Sequence, residues 1–213
     1  MKRNLIIDIS EIFVSLQGEG TRTGEPFIFI RLAGCSIKCK WCDTRYAWKK
    51  GKKMKLSEVF KSIKRFKDIN SVLITGGEPL EQRESVIQLM KILILSGYEV
   101  FLETNGTMPL TGLPPEVIVT MDIKPPSSGV SDRLFFPNID LLRSKDEVKF
   151  VIADRRDFDW AVSFINNHRI RTNNIFFSAA DNLLKPQTLA KWILSSNIKV
   201  RLMLRLHKIL NIK

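Results

Sequence analysis

Short apolar segments alternate with longer amphipathic segments along this sequence. Apolar residues at every second position indicate strands, whereas apolar residues three and four positions apart indicate helices. The strands predicted in this way are 6–16, 27–32, 72–75, 99–103, 117–122, 148–152, 174–177 and 199–204. The predicted helices are 56–66, with Ser57 as N-cap, 83–95, ending before Gly97, 158–166 and 187–194. This alternation predicts an α/β fold with a mostly parallel sheet, arranged as an open sheet or as a full or partial barrel.

Polar or glycine-rich clusters follow six of these predicted strands. The carboxyl ends of parallel strands meet on one face of a sheet, where ligands bind and catalytic groups lie. We therefore expect the clusters to line a single site. They begin at Gly34, Thr75, Glu103, Asp122, Ser178 and Arg205.

The composition is that of an ordinary globular chain. With 213 residues, 44% of them hydrophobic, a single domain over 1–213 is the default expectation. Disordered, collagen-like and disulfide-scaffold classes are excluded by this composition. The apolar segment that follows Met1-Lys2-Arg3-Asn4 is too short for a secretory signal, and no segment is long enough to span a bilayer. We therefore expect a cytoplasmic protein.

The cysteines form one compact motif. They are Cys35, Cys39 and Cys42, with the spacing C-x3-C-x2-C. An odd number of cysteines cannot form a closed set of disulfides, which favours metal binding or redox chemistry. Three thiolates on a four-iron cluster would leave one iron free to bind a ligand. A zinc site remains an alternative, although neither His168 nor His207 has the spacing of a paired zinc ligand, and so do three unrelated buried cysteines.

A second motif, Gly76-Gly77-Glu78-Pro79, follows downstream. Together with the cysteine motif and the aromatic Trp41 before its last cysteine, it resembles the radical S-adenosylmethionine superfamily. The resemblance implies a 4Fe-4S cluster whose open iron binds the amino and carboxylate groups of S-adenosylmethionine. Glycines let backbone groups approach such a zwitterionic ligand, and Glu78 can complement its ammonium group.

Further motifs narrow this resemblance. They are L-Q-G-E-G at 16–20, R-L-A-G-C at 31–35, C-D-T at 42–44, E-T-N-G at 103–106, D-I-K-P at 122–125 and L-H-K at 206–208. Together they resemble the 7-carboxy-7-deazaguanine synthase family over nearly the whole chain. This resemblance implies a TIM-like partial barrel that forms a homodimer. It also implies a lyase that converts 6-carboxy-5,6,7,8-tetrahydropterin into 7-carboxy-7-deazaguanine with loss of ammonia, toward the tRNA bases queuosine or archaeosine.

The resemblance also implies residue roles. The residues implied to bind S-adenosylmethionine are Trp41, Asp43, Gly76, Gly77, Glu78, Asn105, Lys124, Ser127 and Ser178. The residues implied to bind the pterin are Leu16, Gln17, Gly18, Glu19, Arg31, Thr75, His207 and Lys213. Thr44 aligns with the magnesium ligand of the family, so the implied cofactors are the 4Fe-4S cluster, S-adenosylmethionine and magnesium.

Ordinary structural roles remain open for several of these residues. Arg31 supplies a guanidinium fork for the substrate carboxylate, or it is a surface residue. Gln17 and Glu19 match the amide and amine edge of a pterin, or they form a polar turn. Thr44 can satisfy a local turn, and His207 can be a structural residue on the last strand.

The end of the chain is a further candidate. If strand 199–204 points toward the cysteines, the residues after it can fold over the mouth of the site, with Ile209, Leu210 and Ile212 against apolar walls. The resemblance implies that the α-carboxylate of Lys213 binds the pterin. The alternative is a frayed terminus.

Two departures from the family pattern put local contacts in doubt. Arg205 stands where the family often has Gln, two residues before the terminal His. Ala179-Ala180 stands where the family often has Gln-Pro.

The formal net charge of +12 leaves other partners to weigh. Basic residues are dense at 49–55, 61–67 and 169–171, and such patches attract phosphate backbones. The first run lacks interleaved aromatic residues for base stacking, which disfavours nucleic acid as the main partner. An acidic electron donor such as flavodoxin or ferredoxin is more economical, because the cluster must be reduced. The alternative functions are an activating enzyme for glycyl-radical enzymes, which shares the cysteine spacing, and a zinc-stabilised basic RNA-binding protein.

Overall fold

One open sheet organises the protein. The computed structural model describes residues 5–49 and 51–213. Outside the described residues lie Met1 to Asn4, which precede the segment judged too short for a secretory signal, and Lys50, which belongs to the basic segment 49–55. In the described residues the sheet has nine strands in the order β3-β1-β2-β4-β5-β6-β7-β8-β9. The strands are β1 (Ile6–Leu16), β2 (Pro26–Leu32), β3 (Lys52–Lys55), β4 (Ser71–Gly76), β5 (Glu99–Thr104), β6 (Ile118–Ile123), β7 (Glu147–Ile152), β8 (Asn174–Ala179) and β9 (Arg201–Leu202).

The sheet is mostly parallel, as the sequence predicts. All strand pairs from β2–β4 through β8–β9 are parallel, whereas β1 pairs antiparallel with both β2 and β3. Strand β3 was not predicted, because three of its four residues are lysines. It exists through backbone pairing with residues 6–9 of β1 at the edge of the sheet, where exposed lysines discourage further pairing.

Five of the six α-helices in the described residues contribute to the main apolar core on one face of the sheet. The helices are α1 (Leu56–Ile63), α2 (Arg83–Leu95), α3 (Asn138–Leu141), α4 (Arg155–Asn167), α5 (Pro186–Ser195) and α6 (Leu206–Ile209). The last, α6, lies instead at a cavity at the carboxyl ends of the central strands. Helix α2 has the predicted bounds, and Gly97 after it has φ +86°, the left-handed conformation typical of a C-terminal glycine. The prediction of Ser57 as the N-cap of α1 is wrong, since Lys55 is the N-cap and its N–H donates to Glu58 at 2.7 Å. Within the described residues no helix is long and apolar enough to cross a membrane.

The two faces of the central strands differ in chemistry. Residues such as Ile30, Ile74 and Phe150 face the helices and belong to the main apolar core. On the opposite face, Phe27, Phe29, Leu73 and Phe101 form a separate buried cluster. Because side chains alternate along a strand, the residues that continue this inner face toward the carboxyl ends are polar. They are Arg31, Thr75, Glu103, Asp122 and Lys149.

Candidate active site

A cavity of about 430 Å³ lies at the carboxyl ends of the central strands. Every residue that the sequence assigns to a ligand lines this cavity except Glu78, Ser127 and Ser178. The expectation that the strand ends line one site is therefore confirmed for five of the six clusters, whereas the cluster that begins at Ser178 does not line the cavity. The roles of the individual residues stay predictions.

The cysteine loop forms one wall of the cavity. Cys39 is buried, and Cys35 and Cys42 are half-buried. Burial raises the pKa of the Cys39 thiol to about 11, against the opposing charge of Lys124, and burial also raises the pKa of Cys35. A residue outside the cavity stabilises the loop, because the Ser36 N–H donates to the Glu81 carboxylate at 2.8 Å.

The two glycines after β4 pack directly against this loop. A Cβ on Gly77 would lie 1.9 Å from the carbonyl oxygen of Gly34, and one on Gly76 would lie 2.3 Å from that of Leu32. The Glu78 N–H donates to the Gly34 carbonyl at 2.9 Å. Glycine is therefore required here because two backbone segments touch, and this contact places the motif beside the cysteines.

Glu78 itself does not face the cavity. It is fully buried, and its carboxylate accepts hydrogen bonds from Leu80 N–H at 2.9 Å, Asn105 N–H at 2.8 Å and the Thr104 hydroxyl at 2.8 Å. Burial raises the pKa of Glu78 to about 7, although these donors favour the charged form. The interpretation of Glu78 as the direct partner of a ligand ammonium does not fit this position. Its carboxylate instead holds the ends of β4 and β5 together.

Two predicted serines also lie away from the cavity. Ser127 binds the Asp157 carboxylate through its hydroxyl and through its N–H, the latter at 3.0 Å. Ser178 is 1% exposed in β8. Both predictions came from the family resemblance, which does not tell whether a side chain at the matching position is buried or already bound by another residue, as the Ser127 hydroxyl is by Asp157.

Arg31 belongs to a charged network at one end of the cavity. Its Nε donates to Glu11 at 2.9 Å, and Glu11 also accepts from the Tyr46 hydroxyl at 2.8 Å and pairs with the ammonium of Lys213. Burial alone would raise the pKa of Glu11, but the hydrogen bonds from Lys213, Tyr46 and Arg31 outweigh it and lower the pKa. Sequence reasoning missed Glu11, whose only signal is a carboxylate within an apolar strand.

Lys149 lies at the centre of the polar floor and was also missed. Its side chain is 7% exposed, and its ammonium lies 2.7 Å from Glu19, 2.5 Å from Glu103 and 3.3 Å from Asp122. Burial alone would raise the pKa of Glu103, but the charge of Lys149 outweighs it and lowers that pKa. The available signal was a single lysine in the apolar strand Val148-Lys149-Phe150.

His207 reaches the cavity on a helix rather than on a strand. Strand 199–204 is only Arg201–Leu202, and the chain then turns into α6, where the Leu206 N–H donates to Gly18 at 3.0 Å. Burial lowers the pKa of the His207 imidazole.

Residues after α6 line the cavity, in agreement with the prediction that the end of the chain folds over the mouth of the site. They include Ile212 and Lys213. The predicted apolar docking is wrong for Ile209 and Leu210, which are 62% and 49% exposed. A short helix turns these side chains outward, so they cannot reach a wall. Ile212 lines the cavity but keeps 40% exposure.

Comparisons with known proteins agree with this geometry. Residues 29–122 match the family model described as the Radical SAM superfamily. A 7-carboxy-7-deazaguanine synthase from Koribacter versatilis is 39% identical over 216 residues, which cover 95% of this chain and 96% of that protein. Another from Methanospirillum hungatei is 43% identical over 207 residues, covering 96% of this chain and 85% of that protein.

The chain belongs to the 7-carboxy-7-deazaguanine synthase family. The fold is similar to the crystal structure of QueE from Escherichia coli, with a TM-score of 0.73 and 23% identity over 92% of this chain and 93% of that one. This similarity and the open sheet confirm the TIM-like partial barrel. Membership in this family argues against the two alternative functions, the activating enzyme for glycyl-radical enzymes and the zinc-stabilised RNA-binding protein.

The cofactors of a radical S-adenosylmethionine enzyme are a 4Fe-4S cluster and S-adenosylmethionine, and the residues present fit them. One loop offers three thiols to the cavity, one fewer than a cluster held by cysteine alone would need. Among the described residues, no group of three His, Cys, Asp or Glu side chains is arranged to bind one metal ion. The cysteines of a 4Fe-4S cluster each bind a different iron, so they do not need to converge on one point. Two buried polar atoms of cavity residues, Trp41 Nε1 and Asp122 Oδ1, have no hydrogen-bond partner in the described part of the chain, which suits a polar ligand.

Arg205 shows how this member of the family accommodates its departure from the common pattern. Its guanidinium donates to Asp43 at 3.3 Å, to the Ala179 carbonyl at 3.1 Å and to Asp181. Burial alone would raise the pKa of Asp43, but the charges of Lys149, Arg205 and Lys208 outweigh it and lower the pKa. Arg205 therefore ties the cysteine loop to the end of β8.

Proposed function

We propose that this protein is a radical S-adenosylmethionine lyase that converts 6-carboxy-5,6,7,8-tetrahydropterin into 7-carboxy-7-deazaguanine with loss of ammonia. The product is a precursor of the modified tRNA bases queuosine or archaeosine. The observation that carries this proposal is the single cavity that contains both the cysteine loop and the polar inner ends of the strands. A radical generated at that loop would be confined next to a bound small molecule.

The cofactor side of the cavity is assigned as follows. Cys35, Cys39 and Cys42 hold the cluster, and the backbone of Gly76 and Gly77 lies beside them. With S-adenosylmethionine bound, the cluster supplies the radical chemistry that removes a hydrogen atom from C6 of the pterin.

The remaining residues implied to bind S-adenosylmethionine differ in how they act. Trp41, Asp43, Asn105 and Lys124 line the cavity and are available to contact it. Glu78 acts indirectly, because its buried carboxylate positions the turn that carries the glycines.

The substrate side of the cavity is built to hold a flat, polar ring with a carboxylate. Arg31 pairs with the substrate carboxylate, competing with its present partner Glu11. Gln17 and Glu19, in the loop between β1 and β2, accept and donate hydrogen bonds at the amide and amine edge. His207 closes the cavity over that loop from α6. By fixing C6 next to the radical source, these residues supply positioning rather than proton transfer.

Thr44 is the proposed magnesium ligand. Its hydroxyl lines the cavity and donates to Asp43 at 3.1 Å. A hard cation prefers oxygen ligands and keeps several waters, so one hydroxyl together with substrate oxygens makes a weak site.

An acidic electron donor, such as flavodoxin or ferredoxin, and a homodimer in the cytoplasm complete the proposal. The acidic electron donor is supported by charge complementarity, because β3 exposes three positively charged side chains, Lys52, Lys53 and Lys55. They also lie near the cluster loop, because Gly51, which precedes them, packs against Ala33, two residues before Cys35.

Anaerobic turnover tests the proposed function. The reconstituted protein is incubated with dithionite, S-adenosylmethionine and the carboxypterin, and the products are identified by mass spectrometry. We expect 7-carboxy-7-deazaguanine in the wild type and none in the Cys39→Ala variant, which loses its iron. Deoxyadenosine without any deazapurine would refute the substrate assignment and leave the superfamily assignment intact.

A further inference from the structure

A buried lysine connects the substrate side of the cavity to the cofactor side. Lys149 lies on β7, where all residues are buried, and directly opposite Asp122 in the parallel register of β6. Its other two partners come from distant segments: Glu103 is the penultimate residue of β5, and Glu19 belongs to the loop between β1 and β2, 130 positions away in the sequence. One ammonium therefore joins three carboxylates from three elements.

The partners of these carboxylates lead to both ligands. The second oxygen of Glu103 accepts from the Thr75 hydroxyl at 2.8 Å. Asp122 also pairs with Lys124 at 2.8 Å. Thr75 and Glu19 are proposed substrate contacts, whereas Lys124 is a proposed S-adenosylmethionine contact.

The charges require this lysine. Glu19, Glu103 and Asp122 carry three negative charges, which Lys149 and Lys124 offset with two positive charges. Without Lys149, the neighbouring carboxylates, which are only partly exposed, would repel one another and move apart. This movement would remove an aligned acceptor from the cavity.

We infer that Lys149 is a positioning residue that holds Glu19 and Glu103 as aligned hydrogen-bond acceptors for the N–H groups of the pterin. This inference rests on the proposed function and deepens it, since Lys149 acts on the substrate through the two carboxylates. The ammonium donates to one oxygen of Glu19 and to one oxygen of Glu103, which leaves lone pairs on both carboxylates for the ligand.

Substitutions of Lys149 test this role. Lys149→Met keeps the length and the apolar stem but removes the charge, and Lys149→Arg keeps the charge. Lys145→Met is the matched control, because Lys145 is exposed and binds the carbonyls of Pro115 and Glu116 outside the cavity. Each variant is reconstituted, and its iron content, S-adenosylmethionine binding, KM for the carboxypterin and ratio of deoxyadenosine to product are measured.

We expect Lys149→Met to raise KM by about tenfold to about 100-fold and to form deoxyadenosine in excess of product, because the ring is misplaced by a fraction of an ångström. Iron content should stay near wild type, and S-adenosylmethionine binding should fall by less than pterin binding, because Lys124 keeps its own ion pair with Asp122. Lys149→Arg should recover part of the loss, and Lys145→Met should behave as wild type. A second variant, Lys149→Gln, serves if the methionine variant does not fold, with the same expectations.

A double variant tests the route of the effect. If Lys149 acts through Glu19, Glu19→Gln should raise KM further by less in the Lys149→Met background than alone. A KM and product ratio equal to wild type in the folded Lys149 variants would overturn the inference while wild-type turnover upholds the function. Fully additive effects with Glu19→Gln would also overturn it. Failure of the wild type to form the deazaguanine would overturn both.

Discussion

The imidazole of His207 occupies the space next to Gly18 that a side chain would need. A Cβ on Gly18 would lie 2.1 Å from Nδ1 of His207. This contact joins the loop between β1 and β2 to α6, which carries His207 189 positions further along the chain. Both residues line the cavity, so the contact sets the shape of its substrate side.

Gly18→Ala should therefore displace His207 and weaken substrate binding. We expect KM for the carboxypterin to rise by about tenfold or more, because the added methyl group forces the imidazole away. Gly24→Ala is the control, since Gly24 lies in the same loop with open space at its Cβ position and tests only the strain of its φ of +93°. Equal effects of the two substitutions on KM would show that the His207 contact is not the cause.

Arg31→Ala should weaken pterin binding by about 2 to 4 kcal/mol, the scale for breaking a buried charge pair. Arg31→Lys should recover only part of this free energy, because an ammonium lacks the planar fork. Glu11→Gln should not weaken binding, because it releases Arg31 from its present partner. The measurement is KM together with isothermal titration under anaerobic conditions, and an unchanged affinity in Arg31→Ala would remove this residue from the site.

Thr44→Ala should raise the magnesium concentration needed for half-maximal activity by about tenfold. The cluster should remain, because Thr44 Oγ1 lies 3.9 Å from the sulfur of Cys42 and the three thiols are unchanged. Thr44→Ser retains a hydroxyl and should resemble the wild type. The magnesium dependence of turnover and the iron content are measured for all three proteins, and identical magnesium curves would contradict the assignment.

The buried carboxyl of Glu78 should make stability depend on pH. Its pKa is raised from 4.5 to about 7, so the folded state binds the proton more tightly than the unfolded state. The stabilisation is complete below the unfolded pKa and is lost as the pH rises through about 7, a change of about 3 kcal/mol. Glu78→Gln should lack this decline, whereas Glu84→Gln, an exposed change on the adjoining helix, should keep it. Thermal unfolding under anaerobic conditions between about pH 5 and about pH 8 measures the difference, and parallel curves for wild type and Glu78→Gln would contradict it.

Local patterns in the sequence were sufficient for most of the sheet. Strand β1 and helix α2 have their predicted bounds, because alternating or helical apolar spacing and the glycine after α2 are local signals. Strand β3 and helix α6 could not be predicted, because a lysine-rich segment becomes a strand only by pairing with β1, and the last helix forms where the tail meets Gly18. Their stability comes from partners distant in sequence, which no local pattern encodes.

Local motifs are enough to identify the chemistry of this protein: the cysteine spacing, the Gly-Gly-Glu-Pro motif and the family motifs indicate the cofactors and the face of the sheet that binds them. Which side chains are free to act on that face follows from the folded arrangement alone. Glu78 is fully buried, Arg31 forms an ion pair with Glu11, and Lys149 forms ion pairs with three carboxylates. The spacing of a motif indicates which ligand its residue types can bind. Burial and ion pairing instead depend on the segments that pack against each residue, and those segments meet only in the folded chain.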